Sequence, residues 1–119
     1  MRVAVVQGSA PDGFLTRTLK NAEIVRVAGG FAPTREVLSS GKADVCGENL
    51  QIAYGIAAEL PGETVLEGRF NVVLMSIGVP KSKAGALAIV DDFVAGAKRD
   101  GLIARAIARA GLRGVHPAP

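Results

Sequence analysis

Residues 3–19 read VAVVQGSAPDGFLTRTL and decide the fold of this chain. Residues 3–6 are all apolar, as in a strand that is covered on both faces of a parallel sheet. The turn Gly8-Ser9 follows, and the apolar residues after it recur at helical spacing. The stretch therefore predicts a buried strand that passes through a glycine turn into an amphipathic helix.

This turn has the chemistry of a small ligand site. The N–H groups of a first helical turn are unpaired and carry roughly half a positive charge, so a carboxylate or phosphate can sit on them. Gly8 lets the backbone approach closely, and Ser9 adds a hydroxyl group. Ser9 and Asp12 also form an S-x-x-D pattern, which is typical of a helix cap with no ligand. Both interpretations stay open.

Length and composition indicate one α/β domain with an aliphatic core. The chain has 119 residues, of which 49% are hydrophobic and only 4% aromatic. No apolar run approaches the roughly 20 residues that span a bilayer, and the N-terminal residues lack the pattern of an export signal. The single cysteine, Cys46, excludes an internal disulfide, and its apolar setting predicts a small buried side chain rather than a nucleophile.

The net charge of +3 does not indicate a nucleic-acid partner. Basic residues are densest near the C-terminus, where they recur at helical spacing on the face opposite the apolar residues. These basic residues are Lys98, Arg105, Arg109 and Arg113. That pattern is typical of a solvated helix face, and no DNA-binding or RNA-binding motif accompanies it.

Strands and helices alternate through the first 60 residues. We predict a strand over Glu23–Val27, a helix over 32–40, a strand over 43–46 and a helix from Asn49, as its N-cap, to about residue 59. Because every connection between strands contains a helix, the strands are expected to be parallel. The sequence thus predicts a three-layer α/β/α fold with a mostly parallel sheet.

The second half has a different pattern. Residues 70–79 form a long apolar run that Pro80 ends, and Ser82 is placed to cap a helix over 83–98. Gly101 separates this helix from a last one that ends near residue 110. The tail, 114–119, is expected to be flexible, and its histidine, His116, to have no ligand role.

Four segments in order resemble the type II periplasmic solute-binding proteins of ABC transporters, particularly the family 3 group that binds amino acids. They are VAVVQGSAPD, SGKADVCGEN, LPGETVLEGRF and the long stretch from residue 72 to residue 114. The resemblance implies a type II lobe over 1–75, a hinge strand and C-terminal helices over 76–113, and a tail over 114–119. The hinge strand is placed over 76–80.

The resemblance also implies the site residues. Gly8, Ser9 and Ala10 would bind a ligand carboxylate, while Asn49, with Glu48 beside it, stands where amino-acid binders carry a carboxylate for the ligand ammonium. The amide cannot neutralise an ammonium, so either Glu48 substitutes for it or the ligand is not an α-amino acid. Asp44 is expected to be a structural acid that pairs with local backbone or with Lys42. Catalytic residues, metals and cofactors are not expected.

Compared with the family, the chain corresponds to lobe two and the returning helices, without the first lobe and its half of the cleft. The apolar stripes of these helices are then expected to pack on a second copy, as a homo-oligomer. The expected partners are a small polar or anionic solute and an ABC permease, with neither nucleic acid nor membrane insertion. The resemblance implies a periplasmic location, and a cytoplasmic one stays open.

Two other functions remain open beside solute binding. The first is an enzyme on the same fold, such as the cyclohexadienyl dehydratase group, for which Glu48 is the only plausible acid near the cleft. The second is a sensor, since effector lobes of LysR-type regulators share this architecture. A fold alone does not decide between them.

Overall fold

The structure is a computed structural model that describes all residues from 1 to 119. It divides into two compact units, Met1–Val73 and Leu74–Pro119. The first unit contains β1 (Arg2–Val6), α1 (Ala10–Thr18), β2 (Glu23–Val27), α2 (Phe31–Ser39), β3 (Val45–Cys46) and α3 (Leu50–Glu59). The second contains a short 3₁₀ helix (Lys81–Ala86), α4 (Leu87–Arg99) and α5 (Leu102–Arg109).

The three strands form one parallel sheet in the order β2-β1-β3. The register pairs Val3 of β1 with Ile24 of β2 and with Val45 of β3. A helix lies in each crossover, as parallel strands require. The predicted α/β class and parallel sheet are confirmed.

Side chains of β1 alternate between two apolar clusters, one on each face of the sheet. Val3 and Val5 pack with Leu15 of α1 on one face. Ala4 packs with Val27 and Ala43 on the other, where Val37 and Leu38 of α2 cover the cluster. Each large aliphatic side chain buried in this way stabilises the fold by about 1.5–3 kcal/mol. The helices thus lie on both faces, as in the predicted three layers.

Two glycines permit close packing around the sheet. Gly55 of α3 lies against the ring of Phe31 at the start of α2, so α3 packs on the α2 side. Gly47, just after β3, is buried against Leu15 and Val5 on the opposite face. Neither position has room for a larger side chain without movement of its neighbours.

The apolar run over 70–79 is not a strand in the structure. Residues 70–80 have no regular secondary structure, so the hinge strand expected over 76–80 is absent. A strand is stable only where a neighbouring strand satisfies its backbone groups, and no such neighbour pairs with this run. One ordered contact is the stacking of Phe70 on Phe14, with ring centroids 5.8 Å apart.

The helix predicted over 83–98 begins at Leu87 instead. Ser82 does not cap it, because Lys81–Ala86 form a 3₁₀ turn in which Lys83 departs from helical geometry (φ −120°, ψ 29°). The N–H of Lys83 donates to the carbonyl of Pro80 at 2.8 Å, the short-range bond of such a turn. Small residues such as Gly85 give this segment little apolar surface to bury, which disfavours a regular α-helix.

In the second unit, Gly101 has a φ of 70° and joins α4 to α5. Ala97 is the only buried hydrophobic residue of this unit. The tail after residue 113 forms neither helix nor strand, and the ammonium of Lys98 donates to the carbonyl of Pro119. None of the helices in the chain combines the length and the apolar content that crossing a membrane requires.

Candidate functional site

The carboxyl ends of the three parallel strands lie at one edge of the sheet, at Val6, Val27 and Cys46. The chain leaves β1 toward α1 on one face and leaves β3 toward α3, which packs on the α2 side. Two neighbouring strands whose connections diverge in this way open a crevice between their loops, where ligands of α/β proteins bind. The predicted site residues lie in these two loops.

In the β1 loop, Ser9 is the N-cap of α1. Its Oγ accepts the backbone N–H of Asp12 at 3.2 Å, so the predicted cap is present. A hydroxyl that accepts one bond still has a hydrogen to donate. Gly8 has a φ of 75°, a conformation that favours glycine, and this lets the loop turn sharply into the helix.

Asp12 occupies part of the predicted anion cradle. Its carboxylate, although its side chain is only 10% exposed, accepts the N–H of Gly8 at 2.9 Å, the hydroxyl of Thr16 at 3.0 Å and Nε of Arg26 at 3.1 Å. The Gly8 bond is the main reason that the pKa of Asp12 lies below its usual range, with Thr16 and Arg26 contributing in the same direction. The carboxylate is therefore ionised at neutral pH.

This arrangement removes Gly8 from the predicted set of ligand donors, because its N–H already has an internal acceptor. Pro11 has no N–H, and the N–H of Gly13 donates to the carbonyl of Ser9 at 3.1 Å. Two donors are left at the start of α1: the Ser9 hydroxyl and the backbone N–H of Ala10. They can serve a ligand oxygen.

In the β3 loop, Asn49 is at the predicted N-cap position of α3, but its side chain makes no capping hydrogen bond. Its carbonyl accepts the N–H groups of Ile52 and Ala53 instead. Glu48, half-buried, accepts the N–H of Asn49 through Oε2 at 3.0 Å. The second carboxylate oxygen and the whole side-chain amide of Asn49 therefore have no partner within the chain.

Asp44 is a structural acid, but its partner is Arg2 rather than Lys42 or local backbone. Arg2 donates its backbone N–H at 2.7 Å and its Nη2 at 2.6 Å to the two carboxylate oxygens. These bonds hold the pKa of Asp44 below its usual range. The pair joins the start of β1 to the start of β3, at the end of the sheet opposite the candidate site.

Cys46 is half-buried at the end of β3 and packs beside the Ala4 cluster. Burial raises the pKa of its thiol, and the nearby carboxylates of Glu48 and Glu63 add to the effect. A protonated thiol is a poor nucleophile and a poor metal ligand. No group of three or more potential ligands among histidine, cysteine, aspartate and glutamate is placed to hold a metal ion.

Arg26 is the functional candidate that the sequence did not reveal. Its position within β2 suggests only an exposed strand residue, and its contact with Asp12 and Thr16 depends on how α1 lies across the sheet. The S-x-x-D pattern pointed to Asp12 as a cap residue, but it carries no information about the third partner.

Comparison of the chain with protein-family models, with curated proteins and with solved structures finds no match. The α/β fold therefore rests on the structure, and the resemblance to solute-binding proteins stays a prediction.

Proposed function

We propose that this chain is a solute-binding module that holds a small polar solute, such as an amino acid or a related carboxylate, at the carboxyl edge of its sheet. The observation that carries the proposal is the placement of two loops with unused polar groups on the neighbouring strands β1 and β3. Binding residues held at this edge by a rigid sheet are a common arrangement in α/β proteins.

The two loops offer complementary chemistry. Ser9 and Ala10 supply donors for a carboxylate or carbonyl oxygen. Glu48 and Asn49 supply acceptors for an amine or ammonium group. A zwitterion such as an amino acid uses both sides, whereas a simple anion uses only the β1 side. Gly8 contributes the turn and no donor.

These few hydrogen bonds alone support only weak binding, because water competes for each of them. In the ABC uptake system that the sequence resemblance suggests, a second lobe would close over the solute and present it to a permease in the periplasm. The dehydratase-like enzyme and the effector domain of a regulator stay predictions, since no contact of Glu48 favours either.

We propose that a second copy of the chain covers the helices of the second unit. Apolar side chains are exposed on α4 and α5, including Leu87, Phe93 and Leu102, and the unit has almost no core of its own. Charges of both signs border these side chains, with Asp91 and Asp92 exposed on α4 and Arg109 exposed on α5. The same face of a second copy is therefore complementary in charge as well as apolar.

Calorimetric titration with L-alanine, ethylamine and acetate tests the binding proposal. Asn49→Asp adds a negative charge beside Glu48, so the affinity for ethylamine should rise about tenfold while that for acetate falls. The matched control is Asn21→Asp, which changes the net charge equally in the exposed turn before β2. Equal responses of the two variants would show that Asn49 does not contact the solute.

A further inference from the structure

A second groove lies on the other side of β1 from Glu48 and Asn49. It is shallow, has a volume of about 290 Å³, and runs along α1 and β2. Two arginines, Arg17 and Arg26, line it, against one carboxylate from Asp12. The groove therefore has an excess positive charge that the first unit does not neutralise locally.

The guanidinium of Arg26 is fixed by two hydrogen bonds and still has unpaired N–H groups. Its Nε donates to Asp12 at 3.1 Å and its Nη2 to the Thr16 hydroxyl at 2.8 Å, so both ends of the guanidinium plane are fixed. Nη1 has no acceptor in the chain, and 44% of the side chain is exposed. A guanidinium that is oriented before binding loses little entropy when it takes an anion.

Arg17 has no acceptor at all for its guanidinium, neither a carboxylate nor a carbonyl. Its Nη1 lies over Gly13, one turn earlier on α1, about 3.4 Å from where a Cβ would be. A glycine inside a helix costs about 0.5–1 kcal/mol relative to alanine, and Gly13 has no positive φ to require it. The absence of a side chain at Gly13 keeps the floor of the groove open beside Arg17.

We propose that this groove binds a phosphate group, as the free ion or as a monoester, between the guanidinium groups of Arg17 and Arg26. Arginine matches phosphate because its planar donors reach two oxygens at once. The carboxylate of Asp12 repels the anion little, since its oxygens are turned toward Gly8, Thr16 and Nε of Arg26. Gly8 and Ser9 also line the groove, so it adjoins the solute site, but the proposed phosphate contacts come from Arg17 and Arg26 and involve neither Glu48 nor Asn49.

Titration of the full chain with inorganic phosphate, followed by heteronuclear NMR of the arginine Nε–H groups, tests the proposal. The signals of Arg17 and Arg26 should shift together and saturate. Arg17→Gln should weaken phosphate binding about tenfold and leave the fold intact, because the side chain is exposed and unpaired. Parallel titrations with glycerol phosphate and acetate show whether a monoester binds at least as well and whether the groove prefers phosphate to a carboxylate.

Two variants serve as controls. Arg35→Gln removes a surface arginine that pairs with Glu59 outside the groove, and Asn49→Asp alters the proposed solute site. Both should leave phosphate binding unchanged. Shifts of equal size at Arg35, equal binding of acetate and phosphate, or no saturable shift at Arg17 would each overturn the proposal, whatever the outcome for solute binding.

Discussion

The carboxylate of Asp12 accepts the backbone N–H of Gly8 at 2.9 Å. The first turn thus contains its own anion at the place where the sequence allowed a ligand anion. Both interpretations of the S-x-x-D pattern contribute to the result: the cap is present, and it leaves only Ser9 and Ala10 for a ligand. The charge preference of the site then depends on the β3 loop.

Replacing Asp12 should change how the stability of the fold depends on pH. The pKa of Asp12 is lowered in the folded state below its unfolded value of about 3.9, so its stabilisation is complete above that value and is lost as pH falls through the lowered pKa. Asp12→Asn should lower the free energy of unfolding at neutral pH and reduce its decline in acid. Urea unfolding across the acid range, followed by circular dichroism, measures both effects.

The control for this prediction is Asp91→Asn, which removes an exposed carboxylate of α4. The free energy of unfolding of this variant should fall in acid as much as that of the unmodified chain. If the free energy of unfolding of both variants falls in acid as much as that of the unmodified chain, the Gly8–Asp12 bond does not stabilise the folded state.

Gly47→Ala should destabilise the first unit by about 1–3 kcal/mol, the usual cost of overpacking a core. A Cβ at this position would overlap Cδ1 of Leu15 and lie 3.6 Å from Cγ1 of Val5. Gly96→Ala is the matched control, since a Cβ there meets only the end of Arg99 at 3.6 Å inside α4. Chemical unfolding should show a lower free energy of unfolding for Gly47→Ala and no decrease for Gly96→Ala. A Gly47→Ala chain as stable as its parent would mean that Leu15 can move aside.

Phe93→Ser should weaken self-association of the chain by at least about tenfold, because a buried aromatic side chain at a symmetric interface is lost twice. Phe93 is 63% exposed on α4, beside the other apolar side chains of the second unit. Light scattering over a dilution series measures the effect, and Leu66→Ser, at a still more exposed site of the first unit, is the control. A monomer at every concentration would contradict the proposed second copy.

The thiol of Cys46 should react slowly with Ellman's reagent at neutral pH. Burial raises its pKa, and the thiolate is the reactive form. The rate in native buffer should be at least about tenfold below that of the unfolded chain, since both ionisation and access are reduced. Equal rates in the two states would mean that the end of β3 opens readily.

The first unit could be predicted from its sequence because each element carries its own local signal. Residues 3–6 are apolar, Glu23–Val27 contains three β-branched residues, and α1 between them has a cap and periodic apolar residues. The start of α1 at the Ser9 cap and both ends of β2 follow directly from these signals. Ser9 and Asn49 were located as N-caps, although only Ser9 makes the capping bond.

The parts that could not be predicted depend on contacts distant in sequence. Asp12 meets Arg26 and Asp44 meets Arg2 only because the sheet brings their elements together. The run over 70–79 has the composition of a strand but finds no neighbour to pair with. The composition of this run indicates a preference for strand structure, but whether a partner strand is available depends on the rest of the fold.

Chemical-shift mapping with L-alanine tests the proposed solute site most directly. The amide signals of Ser9, Ala10, Glu48 and Asn49 should shift together on titration, because the solute bridges the loops after β1 and β3. Acetate should shift only the first two, and ethylamine only the last two. If L-alanine leaves all four signals unchanged, or shifts residues of the second unit alone, this edge of the sheet is not a binding site.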